Sequence, residues 1–109
     1  MIQPTASFKD NLSLLAPVET LARIELTDAN GDLVASIENQ PGKQGSLVVY
    51  QYLFQEFGEI NKAAATHGLE VFAEHTSDAK ARPGAHPNID QLLAIIDGAA
   101  ALQVRLIAA

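Results

Sequence analysis

Hydrophobic positions change period several times along this chain, and each change marks an element. In SFKDNLSLLA (Ser7–Ala16), Phe8, Leu12 and Leu15 share one helical face. Ser7 with Asp10 has the form of a capping box, and Pro17 stops the helix. LARIELT (Leu21–Thr27) alternates strictly, with Ala22, Ile24 and Leu26 against Arg23, Glu25 and Thr27. That is the period of a half-buried strand. Asn30-Gly31 is a strong hairpin signal, and a second strand returns over Leu33–Asn39 with Leu33, Ala35 and Ile37 on one face. QPGKQG breaks the chain. Ser46 then caps a helix over Leu47–Phe57, closed by Gly58. Gln51 and Gln55 form its narrow polar stripe, flanked by Glu56, so most of its circumference is apolar and expected to be buried.

The second half is read in the same way. EINKAAAT (Glu59–Thr66) predicts a short helix ended by His67-Gly68. LEVFAEH (Leu69–His75) alternates and predicts a third strand. Thr76–Pro87 is then a connection longer than most between strand and helix, shortened by a turn of helix over Ser77–Ala81. Asn88 caps a helix carrying Ile89, Leu92, Leu93 and Ile96 at i, i+3, i+4 and i+7, and Gly98 ends it. Ala101–Ile107 is the last strand. The order is α-β-β-α-α-β-α-β. Every strand has one apolar and one mixed face, whereas strands covered on both sides read as unbroken apolar runs. The expected fold class is α+β: a two-layer sandwich with a mixed four-stranded sheet and helices on one face. Its last two strands form a right-handed parallel crossover around a helix. The outer face is expected to carry Arg23, Glu25, Ser36, Glu70, Glu74, Gln103 and Arg105, with Val34, Phe72 and Ile107 as an apolar strip among them.

Composition narrows the function classes. The 109 residues suit a single domain over 1–109. The hydrophobic fraction of 48% is too high for a disordered chain. Cysteine is absent, which removes disulfides, thiolate nucleophiles and cysteine-held metal clusters. The net charge is −6, and the basic residues are scattered. A phosphate-tracking stripe is therefore missing, so neither nucleic acid nor an anionic membrane surface is an expected partner. The start MIQPTASFKD has no signal-peptide pattern, and no apolar run reaches a membrane span. The expected compartment is the cytoplasm.

Three constellations invite chemistry. His75, Asp78 and His86 are metal-ligand types, but no H-x-x-x-H pair is present, so no metal site and no cofactor are expected. DANGD falls short of a calcium loop: counted from Asp28, the places that need Gly and Glu hold Leu33 and Asn39. PGKQGS lacks the phosphate-loop spacing, since Gln44 follows Gly42-Lys43. Hydroxyl nucleophiles have no spaced base, and Glu70 and Glu74 read as solvated charges.

The segments SFKDNL, IENQPGKQGS, AEHTSDA and PGAHPNIDQLLAII resemble a family of short bacterial proteins classed as a domain of unknown function. The resemblance runs from Ser7 to Ile107. It implies a small bacterial protein and carries no catalytic residue over.

Two functions follow from the residues. The leading one is a small interaction module, a homo-oligomer joined through the sheet face or the apolar helix, with no specified catalysis. The alternative is a small-anion or metabolite-binding protein, conceivably an enzyme, with a site made by the 40–46 and 75–88 loops. Its candidate ligand-binding residues are Lys43, Gly45, Ser46, His75, Asp78, Arg82 and His86, with Lys43, Arg82 and helix-start N–H groups holding the anion. That site requires the two loops to lie together.

Overall fold

The computed structural model describes residues 1–109. Five helices and three strands follow in the order α1 (Phe8–Leu12), β1 (Leu21–Thr27), β2 (Leu33–Glu38), α2 (Gln44–Phe57), α3 (Lys62–Phe72), α4 (Glu74–Ala81), α5 (Pro87–Ile96) and β3 (Gln103–Ala108). The α+β class holds. The sheet has three strands, not four, in the order β2-β1-β3, and both pairings are antiparallel. No parallel crossover forms, because the segment expected to supply the third strand is helical.

The first half follows its local signals. Ser7 accepts a hydrogen bond from the Asp10 N–H and caps α1. β1 begins and ends where its alternation does. Gly31 takes φ +85° in the turn, a conformation glycine adopts without steric cost. Gly58 closes α2 in the left-handed region, its N–H bonded to the Phe54 carbonyl at 2.8 Å.

The second half departs at Gly68. The expected helix over Glu59–Thr66 instead starts at Lys62, capped by the Asn61 side chain, and runs through Gly68 to Phe72. Gly68 ends nothing. A Cβ there would lie 2.8 Å from Leu53 Cδ1 and 2.9 Å from Leu92 Cδ1, so its lack of a side chain lets α3 approach α2 and α5. Ala64, Ala65, Gly68, Val71 and Phe72 are buried, the three- and four-residue spacing of a helical stripe. The chain then breaks at Ala73, with φ 52° and ψ −118°, and restarts as α4. The turn of helix expected over Ser77–Ala81 is present as the end of α4, which starts earlier, at Glu74, so only the stretch after Ala81 connects α4 to α5. The expected outer strip is corrected accordingly: Phe72 is core at 2% exposure, while Glu70 and Glu74 lie exposed on helices.

Ile24, Leu26 and Ile37 point from the sheet into one apolar cluster that includes Leu47, Val49, Tyr50 and Leu53 of α2 and Ile89 and Leu92 of α5. The expected polar stripe on α2 is broken, because Gln51 is buried and donates to the Pro17 carbonyl at 3.3 Å. Most of the apolar surface of α2 is used inside the protein. On the outer face Glu25 accepts from both Arg23 and Arg105 at 2.9 Å. The Arg23 guanidinium, joined by Arg105, holds the Glu25 carboxyl below its ordinary range despite some desolvation.

Candidate functional site

A cleft of about 590 Å³ opens between the start of α2, the start of α4 and the approach to α5. Its apolar lining comes from Phe8 and Leu12 of α1, Ile37 of β2, Phe72 of α3 and Ile89 of α5. Phe8 stacks on Phe72, with ring centroids 5.3 Å apart and an interplanar angle of 21°. The position of α1 rests on Asn11, fully buried, whose Nδ2 donates to the carbonyls of Thr5 and Val71 at 3.0 Å. A second tie joins α1 to α4: the Phe8 N–H donates to Glu74 Oε1 at 2.7 Å. That bond is the main reason the Glu74 carboxyl is held below its ordinary range.

The polar rim has two parts. One is the start of α2. The helix begins after Lys43, not at Ser46, and no side chain caps it. The N–H groups of Gln44, Gly45 and Ser46 fall in the first turn, where a helix has no carbonyl to offer them. They carry the positive end of the helix dipole, and no acidic residue lies in that turn. All three residues line the cleft, with Lys43 beside them. Gly45 is needed for the packing, since a Cβ there would meet two atoms of the Phe8 ring at 3.0 Å.

The other part is a pair of imidazoles, His75 and His86, with ring centroids 5.6 Å apart. His75 sits in the first turn of α4, edge-on to Phe8 at 4.9 Å. His86 occupies the N-cap position of α5, where Asn88 was expected. Tyr50 fixes this corner by donating its hydroxyl to the Asn88 carbonyl at 2.6 Å. His86 Nε2 lies 2.6 Å from Asp78 Oδ2. Asp78 also accepts two hydrogen bonds from Arg82, one of them at 2.9 Å. Arg82 first and His86 second hold the Asp78 carboxyl well below the usual carboxylate range. An ionised carboxylate only accepts, so Nε2 carries the proton in that contact. The other ring nitrogen, Nδ1, forms no hydrogen bond within the chain.

Five of the seven sequence-selected residues therefore line one cleft: Lys43, Gly45, Ser46, His75 and His86. Asp78 and Arg82 do not. Asp78 stands behind His86, and Arg82 is paired with Asp78 outside the cleft. No group of three or more histidines and carboxylates has metal-binding geometry. The sequence reading missed the apolar lining, because it depends on α1 folding against the end of α3. No local pattern in SFKDNL marks it: Asn11, whose buried side chain helps hold that contact together, follows Lys9 and Asp10 in a mostly polar stretch.

Residues 8–106 match the family described as an uncharacterised protein conserved in bacteria (DUF2322). The chain belongs to this family. No curated protein and no solved structure matches it. The DUF2322 match includes every residue that lines the cleft, from Phe8 to Ile89. No helix is long and apolar enough to cross a membrane.

Proposed function

We propose that the cleft binds a small organic anion, a carboxylate or phosphate ester with an apolar body. The observation that carries this reading is the union, in one cleft of about 590 Å³, of an uncapped helix start, two imidazoles and an apolar lining. That volume lies in the range of small-molecule sites, which pair an apolar lining with a few convergent polar groups. The anionic group meets the N–H groups of Gln44, Gly45 and Ser46, with Lys43 adding charge. The apolar body lies against Phe8, Phe72 and Ile89. His86, oriented by Asp78, presents its Nδ1 edge to the ligand.

Phenyl phosphate and inorganic phosphate, titrated into labelled protein and followed by amide chemical shifts, test this. The expected result is saturable movement of the Gln44, Gly45 and Ser46 amides, stronger for phenyl phosphate, and loss of that movement in Gly45→Ala, where Phe8 is pushed into the cleft. Shifts scattered over the surface, or a Gly45→Ala variant that binds as well as the parent, would overturn the assignment.

A further inference from the structure

Charge is distributed unevenly between the cleft and the rest of the chain. Acidic residues outnumber basic ones by 13 to 7. Yet none of the 16 residues lining the cleft is acidic, while Lys43, His75 and His86 all belong to that lining. The parts of it supplied by α1, β2, α3 and α5 are uncharged. Carboxylates near the imidazoles stand outside the lining and are occupied there. Glu74 accepts from the Phe8 N–H, Asp78 from Arg82 and His86, and Asp90 of α5 from the Gly84 N–H.

The two cleft imidazoles are also short of partners. His67, the third histidine, meets the Tyr52 hydroxyl at 2.7 Å. The His75 ring lies against Phe8 and His86 and forms no hydrogen bond within the chain. His86 uses Nε2 on Asp78 and leaves Nδ1 without a partner. Both side chains are half-buried, so a ligand that displaces water from the cleft has to supply their missing bonds. Lys43 takes part in no ion pair. Asp78 already balances Arg82, so a proton gained by His86 adds a full positive charge to the cleft wall.

On the reading of this cleft as an anion site, we infer that its occupant is a phosphate monoester dianion, and that His75 and His86 take up protons from water as it binds. Charge sets the class. Lys43 and the partial charge of the α2 start already match the single charge of a carboxylate. Two more groups able to become cationic match a second negative charge. Histidine is the side chain whose charge ordinarily changes between pH 5 and 8, so that change is accessible near neutrality. With ring centroids 5.6 Å apart, two protonated imidazoles repel each other. A dianion between them offsets that repulsion. A phosphate monoester also offers three terminal oxygens, enough for both rings and the helix-start N–H groups together, whereas a carboxylate offers two. Linkage then requires that a ligand favouring the protonated rings draws protons in as it binds.

Calorimetric titration with phenyl phosphate and with benzoate, which share a ring and differ in charge, tests this at about pH 7.5, where phenyl phosphate is already mostly a dianion. Titrations in two buffers of different ionisation enthalpy count the protons taken up. Phenyl phosphate should bind about ten-fold tighter than benzoate or better, and should draw protons from the buffer. In His75→Gln and in His86→Gln that margin should shrink to about three-fold, with less proton uptake. His75→Gln breaks no hydrogen bond of the chain, so it keeps the test open if His86→Gln loses its tie to Asp78 and unfolds. Benzoate bound as tightly as phenyl phosphate, phenyl phosphate bound without proton uptake, or a folded His75→Gln with both readouts unchanged overturns the inference and leaves the anion cleft standing. Failure of both ligands to bind overturns the anion cleft as well.

Discussion

Asn11→Ala removes a side chain that bonds in four directions. Oδ1 accepts from the Thr5 N–H at 2.8 Å and the Thr5 hydroxyl at 3.0 Å, while Nδ2 donates to the Thr5 and Val71 carbonyls at 3.0 Å. The Val71 carbonyl lies in the last turn of α3, where no following helical N–H serves it. Val71 is fully buried, so its stranded carbonyl costs about 1–3 kcal/mol. Thr5 is exposed and its groups turn to water, which limits their loss to about 1 kcal/mol together. The total is about 2–4 kcal/mol, against a stability of roughly 5–15 kcal/mol for a chain of this size. The variant should remain folded in water. Urea denaturation should show the midpoint falling by about 2 M at a typical slope, and the melting temperature should drop by roughly 15 °C. Asn11→Asp provides a signed control. It sets a carboxylate against two carbonyl oxygens, so its folded-state pKa rises above the unfolded value. Its stability should therefore decline as pH rises from about 4 toward 7. A loss below about 1 kcal/mol in Asn11→Ala, or a pH-independent Asn11→Asp, would refute the claim that Asn11 holds α1 to α3.

Two further outcomes are expected. Ala73 joins α3 to α4 at φ 52°, a conformation an L-residue with a Cβ resists; Ala73→Gly should relieve about 1–2 kcal/mol of strain against about 1 kcal/mol of added unfolded-state freedom, leaving a thermal melt unchanged or raised by a few degrees, and a clear fall in stability would contradict the reading of strain. Arg82 and His86 keep Asp78 ionised in the folded chain at pH values where the unfolded chain takes up a proton near its ordinary 3.8, so this contribution is present above that value and lost progressively as pH falls below it toward the lowered folded-state pKa; Asp78→Asn should flatten the acid side of the stability profile, and an identical profile in both proteins would show that the cluster adds nothing.

Local chemistry was enough to read the first half of this protein. A capping serine, a strict alternation ended by Asn30-Gly31, and a glycine after Phe57 each act within a few residues, so α1, β1, β2 and the end of α2 are legible without knowledge of what they touch. Two of the cleft's components, the α2 start and the histidine-bearing segment, were also visible as clusters of Gly, Lys, Ser and His. Tertiary packing decided the rest. Seven residues of alternation in LEVFAEH satisfy a strand as well as a helix, and Gly68 looked like a stop. Contact with Leu53 and Leu92 turned that glycine into the point of closest approach, and helix packing overrode the alternation. The same packing placed His75 on a helix, set Asp78 behind His86, and took Arg82 out of the cleft by pairing it with Asp78. It also left β3 as an edge strand with Leu106 uncovered, because the Leu69–His75 segment that was to supply a neighbouring strand folded as helix instead. Periodicity records which face of an element is apolar; only the fold determines which neighbour that face meets.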